Sequence, residues 1–193
     1  MRRALLQLAG VEVLFDGQAA PLIYVQSRQV NALAPFELSG KTSTTIQLQY
    51  NGSLVGSMTV PVNAAAPGIF RSQPGVSSQA VAVNQDGTVN SSSNPAAPGS
   101  YVSIWGTGFG SIDPPCATGG LNPFAAVSLS SNVWITVGWP GVETVSAAYA
   151  GSAPGMACGV DQINLLVPSS VHGLTYLYPF GDSSFTQATI AVQ

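Results

Sequence analysis

Hydrophobic and polar residues along this chain fall into short alternating bursts separated by turn residues, and no segment sustains an apolar stripe at the helical period. The bursts predict strands at 11–15, 22–25, 29–34, 44–50 and 57–62, then at 80–84 and 101–105. Further strands are predicted at 133–137, 145–149, 160–167, 174–178 and 186–192. Thr44 to Tyr50 alternates cleanly and meets Asn51-Gly52, a strong hairpin signal, although the answering run begins late enough to call for a longer loop. Residues 64–68 (Ala-Ala-Ala-Pro-Gly) read as a linker, and 106–132 reads mostly as loop.

An internal repeat organises these strands. Gln29-Val-Asn31-Ala-Leu-Ala-Pro35 matches Gln162-Ile-Asn164-Leu-Leu-Val-Pro168 at identical spacing. Upstream, a strand, a glycine and a tyrosine recur: 11–15, Gly17 and Tyr24 in one copy, 133–137, Gly141 and Tyr149 in the other. Between tyrosine and glutamine the second copy carries about eight extra residues, with Ala153-Pro-Gly155 and Cys158 among them. The repeat predicts two modules, an incomplete one at 1–63 and a complete one at 64–193. Two or three strands between 67 and 132 precede the repeat core of the second module, whereas the first has only about ten residues in that position. The expected fold is therefore all-β, with tandem β-sandwich modules of which the first lacks its N-terminal strands. A sandwich short of strands exposes an edge that a neighbour normally covers, so the expectation is either that the chain is the C-terminal portion of a longer protein or that a partner completes the first module.

Composition narrows the possibilities. Charged residues make up 7% of the 193-residue chain, against about 25% in ordinary soluble domains. Five basic residues and a net charge of −3 exclude a nucleic-acid surface or docking on anionic lipid. Ser, Thr, Asn and Gln must supply the polar surface, which suits strands and turns. No apolar run is long and uninterrupted enough to predict membrane insertion, and the Met-Arg-Arg start followed by 4–8 is too short for an export signal. Cys116 and Cys158 lack the close Cys/His spacing of a zinc site; a structural disulfide is favoured over two free thiols and would imply an oxidising compartment.

The motifs also resemble a known family. Gly17-Gln-Ala-Ala-Pro-Leu-Ile-Tyr24, Gln29 to Phe36, Ala65-Ala-Pro-Gly-Ile-Phe70, Val83-Asn-Gln-Asp-Gly-Thr-Val-Asn90 and Asn94-Pro-Ala-Ala-Pro-Gly99 occur in that order. Trp105-Gly-Thr-Gly-Phe-Gly110 and Tyr149-Ala-Gly to Gly155 with Asp161-Gln-Ile-Asn164 follow. Together, over nearly the whole chain, they resemble the uncharacterised Solibacter-type C-terminal domain family of secreted acidobacterial proteins. The resemblance implies tandem immunoglobulin-like modules related to the IPT/TIG type, with an extracellular or cell-surface location. It carries no established activity.

Candidate chemistry is sparse. His172 is the only histidine, so a serine-hydrolase triad must use it, and no Gly-x-Ser-x-Gly elbow is present. The eight acidic residues show no pairing that suggests glycosidase chemistry. Asn84, Asp86 and Asn90 place oxygens around Gly87 as a calcium loop would, but Asp-Gly is also what a tight turn requires, and the turn is the preferred reading. No residue set calls for another metal or a cofactor. Trp139, Tyr176 and Tyr178 are the candidates for stacking on a sugar ring, while Trp105 and Trp134, inside strands, are assigned to a core. Gln29 with Asn31, and Gln162 with Asn164, each share one strand face and are read, with Pro35 and Pro168, as structural repeat residues. These observations predict a non-catalytic extracellular module for adhesion, spacing or assembly, paired at the open edge of 1–63 with the same or a neighbouring protein chain. The alternatives are a carbohydrate-binding module with a polysaccharide partner and, further off, a hydrolase using His172.

Overall fold

A computed structural model describes residues 5–72, 78–138, 143–180 and 188–193. Among them the protein is all-β, built from several antiparallel sheets in a sandwich-like arrangement. It divides into two compact units. Unit 1 comprises 1–64 with 115–122 and 155–159, and unit 2 comprises 65–114, 123–154 and 160–193.

The strands of unit 1 are β1 (Gln7–Leu8), β2 (Val11–Phe15), β3 (Gln18–Ala19), β4 (Leu22–Gln26), β5 (Gln29–Ala32), β6 (Ser43–Tyr50) and β7 (Ser53–Pro61). One sheet runs β1-β2-β6-β7, with β3 also on β2, and β4 and β5 form a second, two-stranded sheet. Val13, Phe15, Ala20, Leu22 and Leu38 make the core between them. The β6–β7 connection differs from the expected longer loop. Asn51 and Gly52 both take positive φ (49° and 78°), the geometry of a two-residue type I′ turn, so the return strand starts at Ser53. An irregularity in register at Leu48/Gln49 absorbs the offset.

Unit 2 holds β8 (Gly68–Ile69), β9 (Ala82–Asn84), β10 (Tyr101–Thr107), β11 (Trp134–Val137), β12 (Glu143–Ser146), β13 (Tyr149–Ser152), β14 (Asp161–Leu166), β15 (Gly173–Pro179) and β16 (Ala188–Val192). Its sheets are β13-β14-β10-β8, with β9 on β10, and β12-β11-β15-β16. Val102, Ile104, Ile163 and Leu165 from the first meet Ile135, Val137, Leu177 and Ile190 from the second in one buried cluster. The run expected as a single strand at 145–149 is two strands. β12 pairs with β11 and β13 with β14, so the chain changes sheets at Ala147 and Ala148.

Strand phase overturns the assignment of two tryptophans to a core. Val133, Ile135 and Val137 occupy the inward phase of β11, which sends Trp134 outward, 42% exposed and edge-on to Phe180 with ring centres 5.0 Å apart. Val102, Ile104 and Gly106 do the same in β10, and Trp105 is half-buried on the opposite face.

Candidate functional site

The repeated residues make the same local structure in both units. Tyr24 pairs with Asn31 across β4–β5, and Tyr149 pairs with Asn164 across β13–β14. The Gln29 amide donates to Asn31 Oδ1 at 2.9 Å, and the Gln162 amide donates to Asn164 Oδ1 at the same distance. Each proline then opens a turn. The N–H of Leu38 donates to Pro35 O and that of Val171 to Pro168 O, both at 3.2 Å, with both prolines buried. Residues two apart in a strand share a face, and the paired amides satisfy each other there.

The copies differ in what surrounds this motif. In unit 2, β14 lies between β13 and β10, in antiparallel register from Tyr101↔Leu166 to Gly106↔Asp161. In unit 1, β5 pairs with β4 alone among the described residues. The N–H of Leu33 donates to Pro21 O on the β4 side, so alternation turns the backbone groups of Val30 and Ala32 to the open side. Their counterparts Ile163 and Leu165 are 0% and 2% exposed, whereas Val30 and Ala32 are only half-buried.

The second sheet repeats this contrast. β16 is buried along its whole length, and its outer edge is bridged in parallel by Gln79 to Thr189 and by Ala96 to Val192. The supporting bonds are Ala80 N–H to Thr189 O (2.7 Å) and Ala96 N–H to Ala191 O (2.9 Å). β7, the corresponding edge of unit 1, ends its sheet. It exposes Leu54 (59%), Val55 (61%) and Met58 (61%), and carries no charge over its nine residues. Edge strands are usually shortened, bulged, charged or interrupted by proline to prevent pairing, and β7 has an early irregularity of register and a proline at its last residue. Among the described residues, unit 1 thus has no strand on the two edges that residues 78–107 cover in unit 2.

The extra residues of the second copy lie between β13 and β14, and five of them, 155–159, belong to unit 1. Cys158 forms a disulfide there with Cys116. In the same unit Thr118 accepts from the Phe36 N–H at 2.9 Å and donates to Glu37 at 2.7 Å, which holds the Glu37 carboxyl below its usual range.

The other candidates fall as follows. Asp86 accepts from the Thr88 N–H (2.9 Å) and hydroxyl (2.7 Å), which lower its pKa and close the Asp-Gly turn. Asn90 is 1% exposed. Its Nδ2 donates to Asn84 Oδ1 and Ala191 O, and its Oδ1 accepts from the Ala191 N–H and the Gln79 amide, each at 2.8 Å. No group of three or more His, Cys, Asp or Glu residues among the described residues could hold a metal ion. His172 is exposed, its Nδ1 2.6 Å from Gln193 O. Tyr176 and Tyr178 are half-buried with ring centres 6.2 Å apart and planes 25° from parallel, and Trp139 lies outside the described residues.

Sequence reading passed over Asp161. It occupies the inward phase of β14 at its first residue, 5% exposed, and accepts from the Phe109 N–H at 3.3 Å. Burial outweighs that bond and pushes its pKa up to about 7. The signal available in the sequence was its place two residues before Ile163 in an alternating strand.

Comparison of the chain with protein-family models, with curated proteins and with solved structures returned no match. No described helix is long and apolar enough to cross a membrane.

Proposed function

We propose that the chain is a non-catalytic pair of immunoglobulin-like modules of the Solibacter-type family, working outside the cell in adhesion, spacing or assembly. The observation that carries this reading is the pair of open, uncharged edges on unit 1, in a unit that otherwise repeats the amide pair, strand register and proline turn of unit 2. Such edges favour a role in joining to protein. The disulfide is compatible with an extracellular setting, and a surface poor in charge leaves backbone pairing as the main source of directional contact. Antibody labelling of intact cells producing the protein tests the location: labelling without permeabilisation is expected, and labelling only after permeabilisation overturns the reading. Turnover on a panel of ester, peptide and glycoside substrates would overturn its non-catalytic part.

A second reading, as a carbohydrate-binding module, draws on the near-parallel Tyr176 and Tyr178 rings on the outer face of β15. Retention on insoluble polysaccharide that is lost on Tyr178→Ala would favour it.

A further inference from the structure

We propose that the loop 106–110 of unit 2 is a proton-operated latch: protonated Asp161 holds Phe109 in the core and, through Gly108, pins Ala66, and loss of that proton to water releases both.

The loop is tied down at three points, all within unit 2. The Phe109 N–H donates to the Asp161 carboxyl at 3.3 Å. The Phe109 ring is 1% exposed and lies in the buried cluster, its centre 6.3 Å from that of Phe180. Gly108 O accepts the Ala66 N–H at 2.9 Å, so the loop also holds the first residues of the unit. Gly108 and Gly110 take positive φ (77° and 130°), and a side chain at Gly108 would collide with Ala66 O. Phe109 is therefore an apolar plug carried between two glycine hinges.

Of these ties only the carboxyl can change its charge. Asp161 is 5% exposed, opposite Gly106 of β10 and Ser152 of β13. Neither β8 nor the tip 108–110 carries an ionisable side chain. On β10 the ionisable residue is Tyr101, at the far end opposite Leu166, and on β13 it is Tyr149, whose hydroxyl donates to Ser152 O at 2.9 Å. Burial and the Phe109 N–H are what act on the carboxyl, and burial is the larger influence. One long hydrogen bond with no cation does not replace the water around a carboxylate, so the closed loop favours the neutral acid, with its pKa at about 7. Opening admits water and returns the group towards its ordinary 3.8, so the opening equilibrium rises with pH between those values. β14 is paired on both sides, by β13 and β10, and the glycine-flanked tip is the part that yields.

The test is amide hydrogen exchange on the full chain at pH 5 and pH 8, corrected for the intrinsic pH dependence of exchange and repeated in low, non-denaturing urea. Protection at Phe109 and Ala66 is expected to fall by at least about ten-fold from pH 5 to pH 8. Because a loop opening exposes little surface, their exchange at pH 8 should be insensitive to urea, while that of Gln162 to Leu165 in β14 is slower and accelerates with urea. Asp161→Asn keeps an acceptor for the Phe109 N–H and cannot ionise, so it should remove the pH dependence at both amides. Should that variant fail to fold, the pH and urea dependence of the wild type still decides. Protection at Phe109 that is the same at both pH values overturns the proposal. So does exchange at Phe109 with the rate and urea dependence of β14, since the whole unit would then be opening, and so does an Ala66 that stays protected while Phe109 is released.

Discussion

Gln162 donates its side-chain amide to Asn164 at 2.9 Å, and the homologous Gln29 and Asn31 make the same bond at the same distance on β5. Two sequences that share little outside this motif have kept one geometry, in which Asn faces Tyr across the hairpin. Asn164→Ala leaves the Gln162 amide without its partner on a half-buried face and is expected to destabilise unit 2 by about 1 kcal/mol. Asn31→Ala should cost less, because Gln29 is exposed and water can replace the lost acceptor. Urea unfolding of both variants checks the order.

Asn90 anchors residues 79–90 to β16. Its side chain makes four hydrogen bonds at 2.8 Å, to Asn84, Gln79 and both backbone groups of Ala191, in a site almost closed to water. Asn90→Ala strands several buried polar groups at once and is expected to cost about 3 kcal/mol or more, read as a fall in the melting temperature of unit 2. Because these amides are turned into the protein, neither calcium nor a chelator should shift the wild-type melting curve.

Much of the fold was legible in the sequence because alternation and turn residues act locally. Tyr101 to Trp105 and Gln162 to Leu166 carry their inward phase on their face. What could not be read depended on longer range. Val-Trp-Ile-Thr-Val at 133–137 has apolar residues in both phases, and only packing against the facing sheet, in one cluster with Ile104 and Ile163, decides that Ile135 turns in and Trp134 out. Nothing local marks the change of sheets at Ala147 and Ala148, where Ala147 bonds back to Val133 and Ala148 to Asn164. At the candidate site, unequal copies pointed to an incomplete first module. Which edges stand open could be found only once β14 and β16 were seen with their covering strands.

The disulfide should matter most to unit 1, since Cys116 and Cys158 both lie in segments that join it. The bond closes a loop of 42 residues, for which the chain-entropy model gives about 4 kcal/mol. Reduction, or Cys116→Ser with Cys158→Ser, is expected to lower the unfolding midpoint of unit 1 and to speed exchange at Thr118 and Phe36, whose bond depends on the 115–122 segment. Equal losses in both units would contradict this assignment of the segments.

Asp161 makes the stability of unit 2 depend on pH in a direction opposite to that of most carboxylates. In the unfolded chain its pKa returns to the ordinary value near 3.8, while burial holds it at about 7 in the fold. Between about pH 4 and pH 7 the folded state therefore binds the extra proton, and stability falls as pH rises, with a limiting slope of about 1.4 kcal/mol per pH unit from this group. Below that window both states are protonated and above it both are ionised, so the contribution is flat on either side. Asp161→Asn keeps the shape and an acceptor for the Phe109 N–H but cannot ionise, and it should remove this slope while stabilising unit 2 at pH 8 relative to the wild type. Urea unfolding of both proteins from pH 4 to 8 reads the difference directly. Parallel curves would mean that water reaches Asp161 in the fold and that its carboxyl is not held at a raised pKa.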